Sequence, residues 1–257
     1  LVFTKQIIKM NWEKVLDLLE TGELRAAEPV NGDWKVNTDV KQAILEAFKA
    51  GKNIAYSGIY EGFVDKHNLP ARQFTAQDGV RMVPGGSSVR RGAYVAKGVI
   101  IMPPAYINTG AFVDEGSMID SHALVGSCAQ VGKNVHVSAA VQIGGVLEPI
   151  GQKPVIVEDN CFLGAGSILV EGIRVCEGAV IAPGTVLSKA IPIYDCVNEK
   201  MLPKGSPIPP NAVVIPGTRP INSAWAQEMG LKAACPLIIK YRDKNSDAAL
   251  ELEDALR

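Results

Sequence analysis

The sequence predicts a mainly β protein built on a parallel β-helix, with a small α/β domain before it and a short cap after it. Three observations carry this. An aliphatic residue recurs at every sixth position, from Val83 through Val89, Val95, Ile101, Ile107, Val113, Ile119, Val125, Val131 and Val137 to Ile143. After a break the step resumes as Val157, Leu163, Leu169, Val175, Ile181 and Leu187. Glycine falls three residues behind many of these rungs, at Gly86, Gly92, Gly98, Gly110, Gly116, Gly166, Gly172, Gly178 and Gly184, where a tight turn needs positive φ. The residue following the turn is small, as at Ser87, Ala93, Ala105, Ala111, Ser117, Ala123 and Ala129, which suits a second inward position in a narrow prism. A period of six is neither the helical 3.6 nor the strand's 2; it marks a hexapeptide solenoid. Three hexads close one triangular coil, and about six coils stacked at ~4.8 Å make a prism on the order of 28 Å long.

The elements follow in order. Residues 4 to 20 read as an amphipathic helix with Ile8, Trp12, Val15 and Leu19 on one face and Gly22 at its C-terminal cap. Leu24 to Ala27 reads as a short strand ended by Pro29, and Asn31-Gly32 as a turn. Thr38 to Ala50 reads as a second helix, capped by Thr38, with Val40, Ile44, Leu45 and Phe48 inward. Residues 52 to 80 show weak periodicity. Residues 1–80 are thus an α/β domain expected to cover the open end of the solenoid, whose unpaired sheet edge needs blunting. The solenoid spans 81–190. Ile143 and Val157 stand fourteen apart, six plus an insertion of eight over 149–156, and a loop ejected from a solenoid corner is a common functional site. In 191–257, Lys204 to Pro210 reads as a linker, Val213–Ile215 and Leu237–Tyr241 as strands, and Asp247–Leu256 as a terminal helix.

Composition narrows the function. A net charge of −1 gives no electrostatic case for nucleic acid or a membrane surface. No apolar run reaches the ~18 residues of a spanning helix, and the start lacks a signal-peptide pattern. The five cysteines, Cys128, Cys161, Cys176, Cys196 and Cys235, include no CxxC pair. They read as reduced, cytoplasmic thiols rather than a zinc site or a disulfide framework. Walker A, GxGxxG, His-Glu-x-x-His and Gly-x-Ser-x-Gly motifs are all missing. The informative groups are therefore ionisable residues within the solenoid. Asp120 follows inward Ile119 where the neighbouring coils have Met102 and Ser138; on the residues alone it is either a solvated flank or a functional carboxylate. His122, at a turn position, and His136 are candidate general bases or solvent-facing side chains. Arg81 stands at the entrance to the first coil, and its guanidinium fork suits a carboxylate.

Longer strings narrow the reading further. Val125-Gly126-Ser127-Cys128-Ala129-Gln130-Val131-Gly132-Lys133-Asn134-Val135-His136, Ile143-Gly144-Gly145-Val146-Leu147-Glu148-Pro149 and Val157-Glu158-Asp159-Asn160-Cys161-Phe162-Leu163-Gly164-Ala165 resemble the tetrahydrodipicolinate N-succinyltransferase family. Leu24-Arg25-Ala26-Ala27-Glu28 and Val213-Val214-Ile215-Pro216-Gly217 extend the resemblance to both ends. It implies that the parallel β-helix is left-handed. It also implies a homotrimer with active sites between subunits, and succinyl transfer from succinyl-CoA to the amine of ring-opened tetrahydrodipicolinate in the lysine and diaminopimelate pathway. No permanently bound cofactor and no metal are expected; succinyl-CoA, or acetyl-CoA, is a co-substrate.

Position by position, the resemblance makes Asp120 the catalytic and substrate-binding carboxylate and Arg81 the arginine for a substrate carboxylate. His122 and Glu148 join the substrate-binding set. Gly145, Gly164, Ala165 and Lys189 are expected along the CoA arm. Departures cluster near Asp120. Asp120-Ser121-His122-Ala123 replaces the family's common Asp-Thr-Trp-Ala, and Val137-Ser138-Ala139-Ala140-Val141-Gln142 replaces Leu-Ser-Gly-Gly-Val-Gly. Ile168 stands where many members have an acidic residue. They point to a second reading, a paralogue that acylates a related amino-diacid in a specialised, tabtoxin-like pathway. A different hexapeptide acetyltransferase with a histidine base is a further one.

Overall fold

The computed structural model describes residues 10–243. Helix α1 (Trp12–Glu20) starts at Asn11, whose side chain accepts from Lys14 N at 3.1 Å. The helix expected over 4–20 is thus described from Trp12 onward, and residues 4–9, Ile8 among them, lie outside the described residues. Val15, Leu16 and Leu19 are buried, and Gly22 takes φ +78° just past the cap. Strands β1 (Ala27–Val30) and β2 (Asp33–Val36) form an antiparallel hairpin about Asn31-Gly32, both with positive φ. The strand expected over 24–27 therefore begins where it was expected to end. The two-residue turn sets the register, and Pro29 is tolerated because β1 is an edge strand.

Helix α2 (Thr38–Ala50) is capped by Asn37 rather than Thr38, the Asn37 side-chain Oδ1 accepting from Val40 N. Val40 and Ile44 are buried as expected, whereas Leu45 and Phe48 are only half-buried. A second hairpin, β3 (Asn53–Ala55) with β4 (Val64–Lys66), occupies part of the weakly periodic stretch.

The solenoid is present as seventeen two-residue strands, β5 to β21, running from Arg81–Met82 to Val186–Leu187. They stack in parallel into three faces. Outward positions on the first face are Arg81, Ile100, Met118, His136, Phe162 and Val180. The second face carries Ser88, Tyr106, Leu124, Gln142, Ile168 and Val186. The third carries Tyr94, Phe112, Gln130, Ile156 and Arg174. The aliphatic rungs from Val89 to Leu187 point inward and form one continuous core.

The first rung differs from expectation. Met82, not Val83, lies opposite Ile101. The step from Met82 to Val89 holds one extra residue, absorbed at Pro84-Gly85-Gly86, where Gly85 and Gly86 have φ +143° and +94°. The middle coils lack turn glycines, yet their turns keep the same conformation: His122, Cys128, Asn134, Ala140 and Asn160 all have φ between +53° and +67°. Asparagine and histidine accept this region more readily than most side chains; Cys128 and Ala140 have no such preference.

The N-terminal helices do not sit over the open end of the prism. They pack on the edge between its second and third faces, Leu16 against Gly92 and Ile44 against Gly110, and the β1–β2 hairpin lies over the third face. Arg25 lies 3.7 Å over the Phe112 ring and 5.2 Å from that of Trp34, and its Nε donates to Gln130 Oε1 at 2.9 Å. Glu158 joins the two layers, accepting from Trp34 Nε1 and Arg174 Nε, both at 2.8 Å. Apolar area sets this arrangement, because Ile156, Ala27 and Trp34 bury one another. The open end is covered instead by the following segment: Arg72 N donates to Val89 O at 2.7 Å, and Gly98 N to Gly79 O at 2.8 Å.

At the far end, β22 (Tyr194–Asp195), β23 (Lys200–Met201), β24 (Ala212–Pro220), a short helix α3 (Ala224–Glu228) and β25 (Lys232–Tyr241) complete the described chain. Val213 and Val214 pair with Val180 and Ile181, which extends the first face. The two long strands exceed their expected spans, because they pair mostly with each other and so escape the six-residue rule. The helix expected over 247–256 lies outside the described residues. All five cysteines are free; Cys196 is exposed and the other four are buried.

Candidate functional site

Each prism edge is a stack of turns. The edge between first and second faces comprises Pro103-Pro104, Ser121-His122, Ala139-Ala140, Ala165-Gly166 and Pro183-Gly184. Asp120 stands just before this edge. Its coil-to-coil neighbours are Met102 on one side and Ser138, Gly164 and Ala182 on the other. It is half-buried, its N–H donates to Val137 O at 2.9 Å, and Oδ1 accepts from Ser121 N at 2.7 Å. That last bond fixes the carboxylate's orientation and leaves Oδ2 as the acceptor at the edge. His122 takes φ +63° at the turn and its side chain is exposed. Gln142 Nε2 donates to both His122 O and Ala140 O at 3.2 Å, bracing the turn from the next coil.

Beyond Asp120 the edge is nearly bare. A Cβ added at Gly166 or Gly184 would meet nothing within 4 Å. Gly164 differs: its Cα faces backbone, and an added Cβ would come within 2.7 Å of Ala182 C and overlap Pro183 N. Its amide donates to Ile181 O at 2.7 Å, so it is held in the ladder; among the described residues the Ala165 amide has no backbone acceptor. Gly164 is therefore explained by coil packing, and Ala165 is the better-placed donor for an incoming oxygen.

Arg81 lies on the same face as Asp120, exposed and two rungs nearer the N-terminal end, a separation of ~10 Å along the axis. The other expected residues are elsewhere. Gly145 and Lys189 belong to the edge between second and third faces, with Glu148 in the loop that leaves that edge. There Glu171 accepts from Ser188 Oγ and Ala190 N. The Ser188 hydroxyl above all holds the Glu171 carboxyl below its usual range, partly opposed by burial and helped by the Ala190 amide and by Lys204 and Lys189. One chain thus brings Asp120, His122, Gly164 and Ala165 to one edge, with Arg81 on the adjoining face. Gly145, Glu148 and Lys189 stand on another edge.

His136 stacks on Phe162, ring centroids 5.0 Å apart, within the first face, which explains it as a packed side chain. Two roles went unread in the sequence, the bracing of the His122 turn by Gln142 and the full burial of Lys41. Lys41 was detectable, since a lysine between Val40 and Ile44 falls within the apolar stripe of α2. Gln142 carried no such signal. Among the described residues no cluster of three or more His, Cys, Asp or Glu could hold a metal ion.

A hexapeptide ladder with an oriented carboxylate on a bare edge defines the class as a hexapeptide-repeat acyltransferase fold. Comparison with known proteins narrows it. Residues 4–50 match the family model described as tetrahydrodipicolinate N-succinyltransferase N-terminal, and residues 154–189 match the hexapeptide repeat of succinyl-transferase. A Nitrosococcus oceani protein named 2,3,4,5-tetrahydropyridine-2,6-dicarboxylate N-succinyltransferase is 43% identical over 256 residues, covering 98% of this chain and 90% of that protein. Its namesake from Idiomarina loihiensis is 46% identical over 250 residues, covering 95% and 87%. A Campylobacter jejuni crystal structure named for a tetrahydropyridine-carboxylate N-succinyltransferase superposes with a TM-score of 0.55 at 21% identity, covering 89% of this chain and 63% of that one. It supports the fold alone. The chain belongs to the 2,3,4,5-tetrahydropyridine-2,6-dicarboxylate N-succinyltransferase family.

Proposed function

We propose that the protein transfers the succinyl group of succinyl-CoA to the amine of ring-opened tetrahydrodipicolinate, a step of lysine and diaminopimelate biosynthesis. The carrying observation is Asp120, an oriented carboxylate beside an edge that carries no polar side chain on the coils after Ser121-His122. In the reaction the amine nitrogen attacks the thioester carbonyl, the C–N bond forms, the C–S bond breaks, and one amine proton must leave. Asp120 Oδ2 takes that proton, which finally neutralises the CoA thiolate. On this reading the Ala165 N–H, two coils (~10 Å) farther along the same edge and without a backbone acceptor among the described residues, is a donor to the CoA arm. Arg81, ~10 Å along the axis, pairs with a carboxylate of an extended diacid.

The split of the expected residues between two edges supports a homotrimer in which one prism's first edge faces its neighbour's second. A succinyl-CoA-dependent step fits a cytoplasmic enzyme, because the thioester is an intracellular metabolite. The test is thiol release with succinyl-CoA and acetyl-CoA against a panel of amino-diacids. Succinyl-CoA with tetrahydrodipicolinate is expected to turn over fastest; no thiol release with any amino-diacid overturns the reading.

A second reading is favoured by the exposed His122 at the turn after Asp120 and by apolar Ile168 on the second face. Both replace residue types common in the family, and both lie beside or facing the edge. On this reading the acceptor is a related amino-diacid of a specialised pathway. His122→Trp is then expected to shift acceptor preference toward tetrahydrodipicolinate, and an unchanged acceptor profile excludes His122 as the cause.

A further inference from the structure

Lys41 heads the fully buried side chains by volume. An ammonium withdrawn from water is costly unless a strong acceptor meets it. The acceptor here is the backbone carbonyl of Gln152, 2.6 Å from Nζ. Burial lowers the Lys41 pKa. The adjacent Cys128 is no counter-ion, because its own burial pushes the thiol up to about 12. Around Lys41 the α1 and α2 core is apolar, with Val40, Ile44 and Leu69 all buried. An apolar side chain would fill that space, so packing does not explain a lysine. The contact with Gln152 does.

That contact falls within the inserted loop. On one side Leu147 packs into the α1 and α2 core. On the other Lys153 Nζ reaches Asp33 Oδ2 at 2.6 Å. Between Leu147 and Gln152 lie only Glu148, Pro149, Ile150 and Gly151, and Glu148 is exposed. The backbone that carries Glu148 is therefore tethered on both flanks, and the C-terminal tether nearest to it is the Lys41 ammonium.

We propose that Lys41 is a positioning residue of the transfer site: through Gln152 O it holds the crest of the loop against α2 and so fixes where Glu148 presents its carboxylate. This rests on the reading of Glu148 as a substrate-binding residue of a succinyl-CoA-dependent transferase. The test is Lys41→Met, which keeps most of the volume and removes the donor, with Gln152→Ala as the control for a backbone acceptor.

In Lys41→Met, amide exchange over 150–153 is expected to accelerate and KM for the acceptor to rise about tenfold, with kcat held within about twofold. Gln152→Ala is expected to match the unaltered protein in both. Unchanged exchange in Lys41→Met overturns the tether. Faster exchange with unchanged KM overturns the positioning role, since a purely structural residue would behave so. If the methionine variant does not fold, Lys41→Gln, with its shorter neutral donor, gives the same two readouts. Absence of thiol release by the unaltered protein counts against the transferase reading instead, and exchange then decides the tether by itself.

Discussion

At Asp120 one backbone amide decides what the side chain can do. Ser121 N occupies Oδ1, which leaves Oδ2 as the oxygen with no such amide donor. Asp120→Asn keeps the shape and removes the proposed base; kcat is expected to fall by about 10²–10⁴-fold with an unchanged thermal midpoint. A variant near the original rate would rule out proton transfer at this position. The two glycines of the next-but-one coil separate packing from backbone strain. Gly166 has φ +69° and open space for a Cβ, so Gly166→Ala is expected to cost about 1–2 kcal/mol. Gly164 has ordinary φ but abuts the next coil, and Gly164→Ala is expected to cost about 3 kcal/mol or more. Chemical denaturation of the pair checks the order, and the reverse order would contradict the coil-packing role given to Gly164.

Among the elements, the contact between β2 and the third face depends on Glu158, which accepts from Trp34, Arg174 and the Glu177 amide. Glu158→Ala leaves the indole N–H and the guanidinium without that acceptor. Stability is expected to drop by about 1.5–3 kcal/mol, read from the denaturation midpoint, and a shift below the measurement error would show that Glu158 adds nothing to the apolar contact and the remaining bridges, such as Arg25 to Gln130 and Lys153 to Asp33.

The same elements explain what could be read from the chain. Inward rungs such as Ile119 and Val137 tolerate only aliphatic side chains, so the ladder was legible from Val89 to Leu187. Its first rung was not, because Met82 and Val83 are both apolar and only pairing with Ile101 separates them. The β24 and β25 hairpin and the β3 and β4 hairpin pair outside the six-residue period and left weak signals. Asp120 was legible as a misfit in its column. The separation of Gly145 and Lys189 from Gly164 and Ala165 was also legible, by counting eighteen residues per coil around the insertion, but the resemblance grouped all four along the CoA arm without that count.

At the scale of the whole molecule, one prism carries the expected residues on two edges that face apart. In the proposed homotrimer, unlike edges of neighbouring copies meet. Light scattering is expected to give a mass three times the 27.4 kDa of the chain. Mixing separately inactive Asp120→Asn and Lys189→Ala subunits, followed by dissociation and reassembly, is expected to restore part of the activity. No recovery would mean that both edges of a site come from the same chain.

The two irregular steps of the ladder have a consequence for how the chain finds its fold. A solenoid contacts only its nearest coils, and nearly identical coils invite a threading displaced by one full turn, in which every rung still meets an aliphatic partner. The extra residue at Gly85-Gly86 and the insertion between Ile143 and Val157 break that degeneracy. A displaced threading would set the long step against a six-residue step and leave Leu147 and Gln152 without the helix they dock on. The irregularities act as registration marks, and they make one alignment of the coils lower in free energy than its near-copies.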